Sequence, residues 1–279
     1  MKKLILLDID GTLRDERNGI PASAKKAVTV LMDTGHQPCL CTGRSKSMIQ
    51  DDVKALGIPH LIAGGGCYIE SHGRVLKDVV FPTEKVNKVI ALLRSNKAAV
   101  SMECKDAIFM NQGAVMILND MNQKKSDHCT KKQLQAYRQS EKILYQDNFD
   151  DYTQEGIHKF CLWAPPPLFH QVADILQEDM MLAQEGHGAY GPYYEIIQKG
   201  CGKADAIREL IQHLDMKQED TIAFGDGMND ADMLSYCAIG IAMKNSDQRL
   251  FPYADAICED IQADGIWKEL IRRKLITER

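Results

Sequence analysis

Short apolar runs alternate with helical patterns over the first 80 residues and again after Gly200, and this rhythm restricts the fold more than any other feature of the chain. Leu4–Ile9, Pro38–Cys41 and the shorter Leu61–Ala63 read as buried strands. Ala22–Thr34 and Ser47–Leu56 carry helical spacing and are stopped by Gly35 and Gly57. Strand and helix in alternation predict a parallel sheet with crossover helices. Gly64-Gly65-Gly66 leads into Cys67–Glu70 and Val75–Phe81, joined by Ser71-His72-Gly73-Arg74, which reads as a hairpin at the sheet's edge. After Gly200 the same rhythm gives a helix over Lys203–Leu214, a strand over Thr221–Phe224, a helix over Asp230–Tyr236, strands over Ala238–Ala242 and Ala256–Cys258, and a helix over Ile266–Lys274. The expected class is α/β with a doubly wound parallel sheet.

Between these halves the texture changes. From about Pro82 the chain reads as a helix (Thr83–Ser95), a strand pair (Val100–Glu103 and Ala107–Met110), a polar stretch of little periodicity (Asn119–Gln133), and a strand (Lys159–Trp163) before Pro165-Pro166-Pro167. Antiparallel strands beside helices form an α+β unit, so the middle is expected to be an insertion. The division is a core of residues 1–81 and 196–279 with an inserted unit of residues 82–195. With 279 residues, 44% of them hydrophobic, the chain can bury a core in each.

Charge excludes several partners. Lys plus Arg number 34 against 39 Asp plus Glu, a net of -5, which leaves no surplus for nucleic acid or an acidic membrane. The apolar run Leu4–Leu7 ends at Asp8, too short for a signal core or a span, so a cytoplasmic protein is expected. The nine cysteines are scattered, the closest pair being Cys39-x-Cys41, and read as buried free thiols in a reducing compartment. No zinc-ligand spacing joins the eight histidines. The sequence leaves the oligomeric state open, a monomer included.

The chemistry concentrates where strands end. The first strand runs into Asp8-Ile9-Asp10-Gly11-Thr12-Leu13, placing two carboxylates at the carboxyl edge of the sheet, where open α/β folds bind ligands. Two acids so close require different environments or a cation between them. Taken alone, the segment reads equally well as a solvated turn. A second strand delivers Gly225-Asp226-Gly227-Met228-Asn229-Asp230, and several carboxylates converging there suit a hard divalent cation such as Mg²⁺. Thr42-Gly43-Arg44 offers a hydroxyl and an accessible backbone N–H for a phosphate oxygen. Lys203 opens a helix after Gly200-Cys201-Gly202 and adds positive charge at a helix N-terminus. Taken alone, it reads better as a surface lysine.

Together, in this order, the four segments resemble the haloacid dehalogenase (HAD) superfamily of phosphatases, and within it the Cof-like branch with a large C2-type cap between the second and third motifs. The resemblance spans the chain, including Ala238–Asn245 and Glu259–Gly265. It implies a Rossmann-like core, an inserted cap that selects substrate, and Mg²⁺-dependent hydrolysis of a small phosphorylated metabolite through an aspartyl-phosphate. Carried over by position, it makes Asp8 the nucleophile and Asp10 the acid/base. Thr42, Gly43, Lys203 and Asn229 become phosphate-binding residues. Asp8, Asp10 (through its carbonyl), Asp226 and Asp230 (through a water) become the metal site. The chain departs from the branch at Gly65-Gly66, where Asn-Gly is frequent, and at Met243-Lys244-Asn245, where Met-Gly-Asn is frequent. A phosphomutase on sugar phosphates is the nearest alternative, and a non-catalytic binding or regulatory protein is a more distant one.

Overall fold

The structure, a computed structural model, describes residues 2–96, 98–126 and 147–277. Its first segment holds β1 (Leu4–Leu7), α1 (Ala22–Asp33), β2 (Gln37–Cys41), α2 (Asp51–Lys54), β3 (His60–Ala63) and the hairpin β4 (Tyr68–Ser71) and β5 (Arg74–Asp78). The helix expected over Ser47–Leu56 is broken. A 3₁₀ turn at Lys46–Met48 gives way to extended Ile49 and Gln50, and α2 is a single turn. Tertiary contacts override the local pattern: Ile49 is drawn into the core, and the Gln50 amide lies 3.5 Å from the Asp10 carboxylate.

The insertion comprises α3 (Thr83–Asn96), β6 (Ala99–Cys104), β7 (Ile108–Met110), α4 (Gln112–Ser126), β8 (Ile157–Trp163), α5 (Pro166–Leu176), β9 (Met180–Gly188) and β10 (Gly191–Gln198). Despite its little periodicity, the first part of the polar stretch, Asn119–Ser126, is helical and belongs to α4; residues 127–133 lie outside the described ones. The apolar anchor of α4 precedes the polar stretch, with Ala114 and Val115 buried and Leu118 packed against them. Pro165 precedes α5 as its cap and Pro166 and Pro167 open it, where a missing N–H costs nothing because the first helical N–H groups have no internal partner. The long hairpin β9–β10 was not expected at all.

The last segment adds α6 (Lys203–His213), β11 (Thr221–Gly225), α7 (Ala231–Tyr236), β12 (Ile239–Met243), β13 (Ala256–Cys258) and α8 (Gly265–Arg272). It joins the first segment in one eight-stranded sheet of order β13-β12-β11-β1-β2-β3-β4-β5, parallel from β13 to β3 and antiparallel through the edge hairpin. Alternation along β1 divides the core. Ile5 and Leu7 pack with α1 and α8 on one face, and Leu4 and Leu6 with α6 and α7 on the other. The sheet is thus doubly wound, as expected.

The insertion forms its own antiparallel sheet, β7-β6-β8-β10-β9. Ile196, Ile197 and Gln198 pair within it, in β10. Val100, Met102, Phe160, Leu162, Tyr194 and Ile196 bury one face under α3 and α5. The other face looks toward the carboxyl edge of the large sheet. Among the described residues no helix is long and apolar enough to cross a membrane.

Candidate active site

Parallel pairing of β1 with β11, in the register Leu7 with Phe224, brings two acidic loops side by side at one sheet edge. The Asp8 N–H donates to the Phe224 carbonyl at 3.1 Å, and the loop curls back so that the Leu13 N–H donates to the Asp8 carbonyl at 3.2 Å. Gly11 takes φ +86°, and a Cβ there would fall inside the Asp226 carboxylate. Only glycine lets this carboxylate approach so closely. Thr12 Oγ1 donates to Asp226 Oδ1 at 2.9 Å and fixes its rotation. Across the loop, the N–H groups of Asp226 and Gly227 both donate to Asp230 Oδ2 at 3.0 Å.

Asp8, Asp226 and Asp230 bring carboxylate oxygens within 4.8 Å of one another. Lys203, the first residue of α6, is buried between two of them, donating to Asp8 Oδ1 at 2.7 Å and to Asp230 Oδ1. Burial and the neighbouring Asp230 push the Asp8 carboxyl well above its ordinary range, with Lys203 opposing. Burial and Asp230 likewise raise Asp226 to about 7. Burial disfavours the Lys203 charge, but Asp230 and Asp8 outweigh it and hold the ammonium well above the usual lysine range. When all three carboxylates are ionised, the one ammonium leaves two negative charges uncompensated among oxygen donors. That donor set fits one hard divalent cation.

The remaining sequence-predicted residues surround this trio. Thr42, buried at the end of β2, accepts the Arg44 N–H at 3.1 Å, and a Cβ on Gly43 would lie 3.4 Å from Asn229 Nδ2. Asp8, Asp10, Thr42, Gly43, Asp226 and Asn229 all line one cavity of about 330 Å³, with Lys203 and Asp230 behind them. The Asp10 carboxylate lies outside the trio. It is gripped by the Arg44 guanidinium, Nη2 to Oδ1 at 2.9 Å and Nε to Oδ2. Arg44 stands in the Thr42-Gly43-Arg44 segment but had no role in the sequence reading.

Over the cavity hang three residues that the sequence reading missed: Glu103, Lys159 and Glu195, from β6, β8 and β10. Lys159 Nζ lies 3.2 Å from a carboxylate oxygen of each glutamate and donates to the Gly43 carbonyl at 3.1 Å. The Ser45 N–H donates to Glu103 at 3.3 Å. Burial works against the Lys159 charge, yet Cys161, Glu103 and Glu195 together hold it well above the ordinary lysine value. A signal existed in the strict alternation of V-S-M-E in β6 and K-F-C-L-W in β8, whose polar members share one face.

Comparison with known proteins agrees with this geometry. The model of the haloacid dehalogenase-like hydrolase family matches residues 5–270. The chain is 26% identical to the candidate phosphatase YkrA of Bacillus subtilis (strain 168) over 278 residues, 95% of each protein. It is 27% identical to the HMP-PP phosphatase of Yersinia enterocolitica over 248 residues, covering 88% of this chain and 85% of that one. The solved structure of a hypothetical protein from Geobacillus kaustophilus HTA426 superposes with a TM-score of 0.79 at 26% identity, covering 99% of this chain and 100% of the other. The acidic trio at the sheet edge, the doubly wound core with its insertion and a family match over nearly the whole chain agree: this protein belongs to the haloacid dehalogenase-like hydrolases and is a phosphatase-type enzyme of that family.

Proposed function

We propose that the protein is a Mg²⁺-dependent phosphomonoester hydrolase of the Cof-like, C2-capped branch, acting on a small phosphorylated metabolite through an aspartyl-phosphate on Asp8. The observation that carries this reading is the buried Lys203 ammonium between Asp8 and Asp230, with Asp226 alongside. The names of the two phosphatase relatives support the same chemistry. Mg²⁺ held by Asp8, Asp226 and Asp230 would neutralise charge on the phosphoryl oxygens and so allow an anionic nucleophile to approach an anionic ester.

The other steps belong to the chain's own groups. Lys203 counters the push of burial and Asp230 on the Asp8 carboxyl and, with the cation bound, favours its ionised form, while Thr42 Oγ1 and the Gly43 N–H hold a phosphoryl oxygen in line with it. Attack by Asp8 forms the Asp8–phosphorus bond as the ester bond breaks. Asp10 gives a proton to the departing oxygen and then takes one from the water that hydrolyses the aspartyl-phosphate. In this reading Arg44 is a positioning residue that holds the Asp10 carboxylate at the cavity rim. The inserted unit acts as the cap, selecting the leaving group and contributing no reacting atom.

Rapid acid quench of enzyme with a ³²P-labelled phosphomonoester should trap label on the wild-type protein. Asp8→Asn should give no trapped label and at least about a thousandfold loss of turnover, with an unchanged circular dichroism spectrum. Label retained on Asp8→Asn would disprove the assignment.

A further inference from the structure

Arg14 follows the acidic loop of β1 directly and is fully buried. Its backbone closes that loop around Asp10: the Arg14 N–H donates to the Ile9 carbonyl at 2.8 Å, and its carbonyl accepts the Gly11 N–H at 2.9 Å. Its side chain crosses to another element. Nε lies 3.1 and 3.3 Å from the two carboxylate oxygens of Asp52, in α2. Stability does not account for an arginine here. Nη1 is buried with no hydrogen-bond partner among the described residues, and Asp52, its side chain 30% exposed, would stay hydrated without the pair. A buried guanidinium so incompletely paired carries a desolvation cost that an apolar side chain of similar length avoids. An unsatisfied buried donor of this kind calls for an explanation outside packing.

Asp52 ends a stretch, residues 44–52, that supplies Arg44 and Gln50 to the Asp10 carboxylate. The stretch has little regular structure of its own: a 3₁₀ turn at Lys46–Met48, extended Ile49 and Gln50, then the single turn of α2. Packing of Ile49 and Val53 sets its depth in the core but, being non-directional, does not aim its polar side chains. Directional contacts do that. Toward the cap, the Ser45 N–H donates to Glu103 at 3.3 Å and Ser47 Oγ donates to the Cys104 carbonyl at 3.1 Å. Toward the core, the Arg14–Asp52 pair ties the far end of the stretch to the loop that carries Asp10.

Resting on the proposal that Asp10 is the acid/base, we infer that Arg14 is a positioning residue for it. Through Asp52 it holds residues 44–52 against the Asp10 loop, so that Arg44 and Gln50 keep the Asp10 carboxylate aimed at the departing oxygen. Arg14 itself touches no reacting atom. Its loss leaves Asp10 chemically intact but free to turn away, and the penalty falls on the steps that need the Asp10 proton.

The test measures kcat and KM with Mg²⁺ for an alkyl phosphate and for p-nitrophenyl phosphate. Arg14→Met keeps the length of the side chain and removes its charge. It should lower kcat for the alkyl ester about tenfold or more and that for p-nitrophenyl phosphate distinctly less, with KM nearly unchanged and no fall in the urea midpoint. Asp52→Asn, at a partly exposed position, should act in the same direction by about threefold, and it carries the test if Arg14→Met does not fold. In an Asp10→Asn background Arg14→Met should add no further loss on the alkyl ester, because the carboxylate it acts through is already gone. Equal losses on the two esters, losses that add fully to those of Asp10→Asn, or wild-type kinetics in both variants would each overturn the inference. The parent reading is judged separately. Should Asp10→Asn alone fail to separate the two esters, the acid/base assignment falls and takes the role of Arg14 with it; should Asp10→Asn separate them while Arg14→Met and Asp52→Asn do not, only the role of Arg14 is lost.

Discussion

Asp8 and Asp10 are two residues apart, yet their side chains meet opposite partners. Asp8 is buried against an ammonium, whereas Asp10 is held at the rim by a guanidinium. A continued strand would set these two carboxylates on one face, but the chain leaves β1 at Leu7 and curls back, the Leu13 N–H on the Asp8 carbonyl, so they meet different neighbours and can divide nucleophilic and proton-transfer roles. On this reading Asp10→Asn should hurt substrates in proportion to their need for a proton. Turnover of an alkyl phosphate should fall by about 10²–10⁴, and that of p-nitrophenyl phosphate, whose leaving group departs unprotonated, by much less. Equal losses on both esters would remove the acid role from Asp10. The residue scale also explains why Gly11 is a glycine: its positive φ and missing Cβ make room for the Asp226 carboxylate.

Between elements, the turn from β3 to β4 in the core touches the segment that returns from the cap, at Gly66 and Gly202. Gly66 takes φ +111°, and a Cβ there would collide with the Gly202 carbonyl, a backbone atom with no rotamer to escape into. Gly73, in the β4–β5 turn, has φ +76° but nothing within 4 Å of the same point. Gly73→Ala should therefore cost about 1 kcal/mol of backbone strain, and Gly66→Ala distinctly more, read as a larger drop in the urea midpoint. Equal drops would mean that the β3–β4 turn and the segment returning from the cap separate freely. The cap sheet carries a related lesson. Its strand alternation puts Phe160 and Leu162 under helices while Lys159, Cys161 and Trp163 face the cavity, so one strand serves both core and site.

For the whole molecule, the acidic trio makes stability depend on pH and on divalent cation together. Asp226 has an ordinary carboxyl value near 3.8 and is raised to about 7 in the fold, so the metal-free native state binds a proton that the unfolded chain releases. Its contribution is fully present below about pH 4 and is lost as pH rises through 7. Asp8, raised in the same direction, adds the same sign. Metal-free protein should therefore melt lower at pH 8 than at pH 6. Mg²⁺, which binds the ionised carboxylates, should restore more at pH 8, by about 2.7 kcal/mol at a hundredfold excess over its Kd. A melting temperature indifferent to Mg²⁺ at pH 8 would speak against a cation site at this edge. The buried state of all eight described cysteines, each a free thiol, fits the scattered spacing that argued against disulfides.

At this same scale the division between sequence and tertiary structure is clear. Local pattern was enough for the doubly wound sheet, because buried parallel strands and amphipathic helices differ in apolar period and are punctuated by glycine. Strand ends in such a sheet share one edge and the structure does bring Asp8, Thr42, Asp226 and Lys203 there, but local pattern alone left Asp8 as readily in a turn and Lys203 on the surface, and it was the resemblance of all four segments to the family that singled them out. Pattern failed where stability comes from distant partners. The break at Ile49 follows from core packing, α4 is anchored by a few residues before a polar face, and β9–β10 is held by pairing with β8. Only the tertiary structure could bring Glu103, Lys159 and Glu195 together, from strands as far as 92 residues apart in sequence, and set them over the Asp8 loop. Contacts of that separation depend on strand register and on how the cap seats against Gly43 and Ser45, and neither is written in any local run of residues.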